Sequence, residues 1–186
     1  ADDKWQPEKL EKQMSFLASN PEFSSCHTGI ITFTGQNIIS QFNNKPEKLT
    51  ATDLLVSSHV VPTSWVIRKK AFEKVNGFDT SIKCSEDHDL TLRLVLANEQ
   101  IGFLSEPLAY LRREGHGNIS SNGRNIFIGH KQLLAKHKAI FNQHPKLKHK
   151  FMYKTCMTAG GKTRGLEKIC YYLIGRIIKT LYTVRP

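Results

Sequence analysis

Acidic side chains are nearly missing from the last 72 residues of this 186-residue chain: Glu167 stands alone there against 14 lysines and arginines. Cysteine is scarce as well. Cys26, Cys84, Cys156 and Cys170 form no C-x-x-C pair and no zinc-ligand rhythm. That excludes a disulfide scaffold and reads as ordinary thiols of a reducing compartment. No apolar run reaches the roughly 18–20 residues that cross a bilayer, and no stretch reads as a signal peptide. Internal repeats and low-complexity segments are missing too. What is present suffices for a core: 39% of the residues are hydrophobic, which argues against wholesale disorder. The length suits one domain, or one domain with an appendage.

The charge is unevenly spread. Residues 1–114 carry 13 basic and 15 acidic side chains, net −2, and residues 115–186 carry a net +13. A near-neutral globular portion is followed by a strongly basic region. Such a region favours polyanions: nucleic acid, anionic lipid head groups or phosphorylated substrates. The plainer alternative is a solvated helical surface that keeps the protein in solution.

Periodicity gives a coarse map. Pro7 suits a first helical turn, and Leu10, Met14 and Leu17 recur at helical spacing, so a helix is predicted over about 7–19. Small, β-branched and aromatic residues predict a strand over 24–34, with Gly35-Gln36-Asn37 turning into a second strand at 37–42. A short helix near 51–57, a strand near 63–68 and a helix over 69–75 follow, the last closed by Asn76-Gly77. A helix is predicted over 86–98, strands at 101–104 and 108–111, and three helices at 124–142, 146–159 and 165–182. The fold class is therefore α/β or α+β for the first portion, with an all-helical tail.

Three groups of residues could carry chemistry. Asp2-Asp3 lies beside Trp5; its acids suit hard oxygen ligation of Mg²⁺ or Mn²⁺, although terminal acids are also commonly solvated. Glu86-Asp87-His88-Asp89 opens a predicted helix. Carboxylates there cap free N–H groups and meet the helix dipole. Three acids in four residues exceed what a cap needs, and such crowding raises a carboxylate pKa toward the range of a general base. Arg112-Arg113 ends a strand before a loop that presents His116; arginines suit phosphate oxygens, and the histidine could complete a metal site. The remaining histidines have no motif context and read as structural or surface residues.

Taken in order, these pieces resemble the second half of a family 2 glycosyltransferase with a GT-A fold. Asp2 through Gln13 resembles the segment that runs from the D-x-D motif into its following helix. Ser64 to Asp79, ending in Asn76-Gly77-Phe78-Asp79, resembles the acceptor-side stretch that closes on G-G-F-D. Ser85 to Leu90 with Arg93-Leu94 resembles the E-D-x-D-L…R-L block. Glu106-Pro107-Leu108-Ala109-Tyr110 and Arg112 to Ser120 resemble the E-P-L-x-x-Y-R…H-x-x-N-x-S ending. The likeness covers residues 1 to about 122 and leaves the basic tail outside.

The resemblance implies an α/β, incomplete GT-A-like domain over 1–122 that lacks the nucleotide-binding half preceding the D-x-D motif. A basic helical region over 123–186 follows it. The implied reaction is inverting transfer of a sugar from a nucleotide-sugar donor to a hydroxyl of a glycan or lipid-linked acceptor, in bacterial cell-envelope polysaccharide synthesis. Asp87 is the implied catalytic base. Asp2 and His116 are the implied ligands of a divalent metal, Mn²⁺ or Mg²⁺, with Asp2 matching the second aspartate of D-A-D-D. Asp3, Trp5, Glu86, Asp89, Arg112 and Arg113 are the implied substrate-binding residues. The Glu114-Gly115 insertion between the arginines and His116 departs from the family's closer R-x-H spacing. With the nucleotide-binding half outside this sequence, the 186 residues alone are expected to transfer little.

In the tail, positions 170, 173, 174, 177, 178 and 181 are apolar, flanked by Lys168, Arg176, Lys179 and Arg185. They predict either a helix packed on the domain or an amphipathic helix on an anionic membrane surface. The expected location is the cytoplasm, peripheral on the inner face of the cell membrane. The competing readings are a non-enzymatic basic module on membrane or nucleic acid, and a pseudo-enzyme. No helix-turn-helix, zinc-finger or RNP signature supports nucleic acid as a partner.

Overall fold

The computed structural model describes residues 3–113 and 121–184. The chain is mixed α/β and separates into two compact units. One comprises Ala1–Leu54, Ser58–Phe78 and Leu90–His116; the other comprises Leu55–Ser57, Asp79–Asp89 and Gly117–Pro186. The sequence expectation placed a division at 122; the structure groups residues 79–89 with the helical part.

The first unit is built on a five-stranded sheet. Its strands are β1 (Lys4–Trp5), β2 (Phe23–Thr34), β3 (Asn37–Phe42), β4 (Trp65–Ile67) and β5 (Gln100–Arg112). The order is β1-β5-β2-β3, with β4 also paired to β2. β2 and β5 run parallel and every other pairing is antiparallel. β2 is the central strand, buried from Ser24 to Phe33, as its run of small and apolar residues requires. His27 lies within that run against Phe103, and burial pushes its imidazole down to about 3, so it is held neutral.

The strand expected at 24–34 and its hairpin partner at 37–42 are found with bounds within a residue. The two strands expected at 101–104 and 108–111 form one continuous strand, β5. Its register against β2 jumps from Leu104 opposite Thr28 to Pro107 opposite Gly29, so Ser105 and Glu106 bulge. A Cβ at Gly29 would meet the carbonyl oxygens of Ser105, Glu106 and Phe42 at 3.0–3.1 Å, and only glycine leaves the bulge its room. β1 was not expected from sequence; two residues are too few for a periodic signal.

α1 (Lys9–Ser19) turns an unexpected face inward. Lys9, Gln13 and Leu17 are buried, whereas Leu10 and Met14 are about half exposed, at 51% and 52%. Contacts offset part of this burial, although among the described residues Gln13 Oε1 and Lys9 Nζ make no hydrogen bond. Gln13 Nε2 donates to the carbonyls of Cys26 (3.0 Å) and Ser64 (3.1 Å), and the Lys9 ammonium lies 4.0 Å from the centre of the Trp5 ring. The short helices α2 (Ala51–Leu54) and α3 (Lys69–Lys74) complete the connections. α3 closes at Asn76-Gly77, both at positive φ, where the Gly77 N–H donates to Phe72 O at 2.9 Å. The Arg93 guanidinium donates to the carbonyls of Val75 and Gly77 and locks that turn.

α4 (Glu86–Leu96) begins in the second unit, which otherwise consists of α5 (Gly123–Lys136), α6 (Lys138–Gln143), α7 (Pro145–Gly161) and α8 (Gly165–Val184). Asn122 caps α5, its side chain accepting the N–H groups of Arg124 (2.9 Å) and Asn125 (3.3 Å). A single helix was expected over 124–142. It breaks at His137, whose imidazole is drawn to a buried carboxylate, and resumes as α6. Phe141 and Phe151 meet as tilted rings, 5.2 Å between centroids, and anchor the core of this unit. No described helix is long and apolar enough to cross a membrane.

Candidate active site

In the sheet unit, β1 pairs antiparallel with the end of β5, Lys4 opposite Tyr110 and Trp5 opposite Ala109. This pairing brings Asp3, Trp5 and Arg112 together across more than a hundred residues of sequence. The Asp3 carboxylate accepts the backbone N–H of Arg112 at 3.1 Å, which leaves its second oxygen outside that bond. Arg112 is half-buried and Arg113 exposed, with the Arg113 N–H bound to Phe33 O at 2.9 Å. Beside them an open cavity of about 440 Å³ is walled by Lys4, Trp5, Phe33, Gln36, Ile38 and Tyr110. Trp5 remains 55% exposed although its indole N–H donates to Thr63 Oγ1 at 3.2 Å and the Lys9 ammonium covers part of its ring. Exposed aromatic faces beside polar groups suit the C–H-rich face of a sugar ring. Trp5 is the member of this wall singled out from sequence; Phe33 and Tyr110 are the aromatic members that sequence reasoning missed. The alternation on their strands places them on one face, but only the β2–β5 register reveals that they share it.

The second group opens α4. Ser85, just before it, adopts φ 73°, a left-handed conformation costly for a serine and found where the surroundings force it. Glu86 and Asp87 are half-buried. The Asp87 carboxylate accepts the N–H of His88 at 2.7 Å. Burial pushes Asp87 up to about 6, with the neighbouring Glu86 adding to the rise, so it sits two steps above an ordinary carboxylate.

Asp89 differs. It is wholly buried, and its oxygens meet Lys136 Nζ at 3.0 Å and His137 Nε2 at 2.8 Å. Lys136 also donates to Asp79 at 2.6 Å, and that ammonium with Ser81 holds the Asp79 carboxyl below the usual range. Asp89 thus ties the start of α4 to the end of α5. Neither Lys136 nor His137 was singled out from sequence, because a lysine and histidine late in a helix carry no motif. His88 turns inward as well, against the rings of His130 and Phe151.

Asp2 and His116, the expected metal ligands, lie outside the described residues. Among the described residues no three His, Cys, Asp or Glu side chains gather closely enough to share a metal ion. Asp3, next to Asp2 in the sequence, accepts the Arg112 N–H on one oxygen, which is compatible with a second, hard partner on the other.

No protein-family model matches the chain. Over 127 residues, 68% of the chain, it is 33% identical to the O-antigen biosynthesis protein RfbC of Myxococcus xanthus. The matched stretch is 10% of that relative's length, so the chain spans about a tenth of the protein it matches.

Proposed function

We propose that this chain forms the acceptor side of a glycosyltransferase of the family 2, GT-A type acting in cell-surface polysaccharide synthesis. The likeness to RfbC supports the pathway class, and the order of the four motif blocks supports the reaction class. The observation that carries the reading is Asp87. It is a half-buried carboxylate held near 6 behind a strained residue, while Asp89, two positions on, is committed to Lys136 and His137.

In this reading Asp87 accepts the proton of the acceptor hydroxyl as that oxygen attacks the anomeric carbon of the donor. The new bond forms from the oxygen lone pair. The bond between the anomeric carbon and the phosphate oxygen breaks, and its electrons leave with the nucleoside diphosphate. A base near 6 is ionised at neutral pH yet still basic enough to take a developing proton. Glu86 orients the acceptor, and Asp89 acts as a positioning residue that fixes the first turn of α4. Asp3 and Trp5 contact the sugar or ribose, and Arg112 with Arg113 offsets phosphate charge. A divalent metal, Mn²⁺ or Mg²⁺, with Asp2 and His116 as its ligands, supplies neutralising charge to the diphosphate when bound.

The test is Asp87→Asn in the natural gene product, read as nucleoside diphosphate release with acceptor and as cell-surface polysaccharide in the source organism. Transfer is expected to fall by about 10²–10⁴-fold, the usual worth of a positioned base, and the polysaccharide to disappear. Undiminished transfer, or intact polysaccharide in the variant strain, rejects the assignment.

A further inference from the structure

α8 has two apolar faces, and only one of them meets described residues. The inner face carries Tyr171 and Ile178, 7% and 8% exposed, and Gly175, which lies against Cys156 and Met157 of α7. The outer face carries Leu166, Ile169, Leu173, Ile177 and Leu181, with exposures of 80%, 54%, 54%, 60% and 52%. Their spacing of three, four, four and four keeps them on one side of the helix along its whole length. The apolar stripe read from sequence is therefore corrected. Ile178 belongs to the packed face, and Leu166 and Ile169 belong to the outer one.

We propose that this outer face is a membrane-surface element whose partner is an anionic lipid bilayer, with α8 lying in the plane of the interface. Charge selects the partner. Arg176 flanks the stripe, Lys168 and Lys179 stand exposed further round the helix, and the unit that contains α8 carries 15 Lys and Arg against five Asp and Glu, net +10. A second copy of the chain would bring the same excess to the contact and be repelled. An anionic head-group layer complements it, and five bulky apolar side chains reach the acyl boundary about 5–10 Å down. Ile174, between the two faces, also borders an apolar cavity of about 370 Å³ with Phe127, Leu134, Met152 and Ile178, a recess suited to an acyl chain. Among the described residues no helix is long and apolar enough to cross the bilayer. The proposal does not rest on the transferase reading.

The test is co-sedimentation of the 186-residue chain with vesicles of phosphatidylglycerol and phosphatidylcholine in equal parts, and with phosphatidylcholine alone. Binding is expected on the anionic vesicles only, weakening as salt is raised. Leu173→Gln with Ile177→Gln keeps the charge and removes the apolar contact; it is expected to weaken binding roughly tenfold or more. Both residues are exposed, so circular dichroism and melting should be unchanged. Lys168→Glu with Arg176→Glu is expected to remove the preference for anionic lipid. Undiminished binding by the double-glutamine variant would mean adsorption by charge alone and would overturn the proposal. Equal binding to both vesicle types overturns it too, as does light scattering that shows a dimer which the double-glutamine variant dissolves.

Discussion

Asp87 destabilises the fold in the form its chemistry needs. Its native carboxyl titrates at about 6 instead of the ordinary 3.8, so the native state binds the proton more tightly than the unfolded chain. The sign follows directly. Below about pH 4 both states are protonated and Asp87 is neutral in its effect. Between about 4 and 6 stability falls as pH rises, and above 6 the full cost of a desolvated carboxylate is present, at most about 3 kcal/mol. Asp87→Asn should therefore raise the melting temperature at pH 8, with the gain vanishing by pH 4. Equal melting of variant and wild type at pH 8 would show that Asp87 is better solvated than its surroundings imply. At this scale the acid run was legible in the sequence, since carboxylates are visible as letters. Their division of labour was not. It depends on Lys136 and His137, which reach Asp89 from 47 and 48 residues away.

Elements were legible where one period dominates and illegible where packing overrides it. The β2–β3 hairpin has a clear alternating run and a turn, and the structure has both. α1 was legible as a helix but not by face, because Gln13 reaches buried carbonyls and Lys9 reaches the Trp5 ring, contacts that no hydropathy pattern encodes. The break between α5 and α6 was hidden for the same reason. Glycine spacing on α5 yields a prediction of its own. Gly129 packs so closely on Cys84 that an added methyl would land on the Cys84 carbonyl, which lies directly before the strained Ser85. Gly129→Ala should cost about 2–3 kcal/mol, as overpacking against backbone does. It should also shift the Asp87 titration, because the segment that holds that carboxylate must move. Among the described residues, Gly161, near the end of α7, has only the Tyr172 hydroxyl within reach, at 3.9 Å. Alanine there should instead stabilise by about 0.5–1 kcal/mol. Chemical denaturation of both variants, with Asp87 followed by carboxyl NMR, checks the pair. A Gly129→Ala protein as stable as wild type would mean that the Cys84 loop is free to yield.

For the molecule as a whole, the partition of charge was the most legible feature of the sequence, and the structure sharpens it. The sheet unit holds 12 basic and 11 acidic side chains, net +1, so nearly all the excess falls to the helical unit. That unit takes residues 79–89, with four of its five acids, from a region the sequence alone assigns to the sheet-containing portion. Only contacts made in three dimensions could show that transfer. Even with those acids, α5 to α8 face strong self-repulsion, which screening relieves over a Debye length of about 10 Å at 0.1 M salt. The near-neutral sheet unit gains little from the same screening. The two units can be followed separately, because both tryptophans, Trp5 and Trp65, lie in the sheet unit, while the four consecutive helices of the other dominate the helical dichroism. Raising salt from low to moderate concentration should therefore raise the melting midpoint seen at 222 nm and leave the tryptophan-fluorescence midpoint almost unmoved. If the two midpoints rose by the same amount, the repulsion would be shared by the whole chain and not confined to the helices. The charge-based choice of an anionic bilayer as partner for α8 would then lose its local basis.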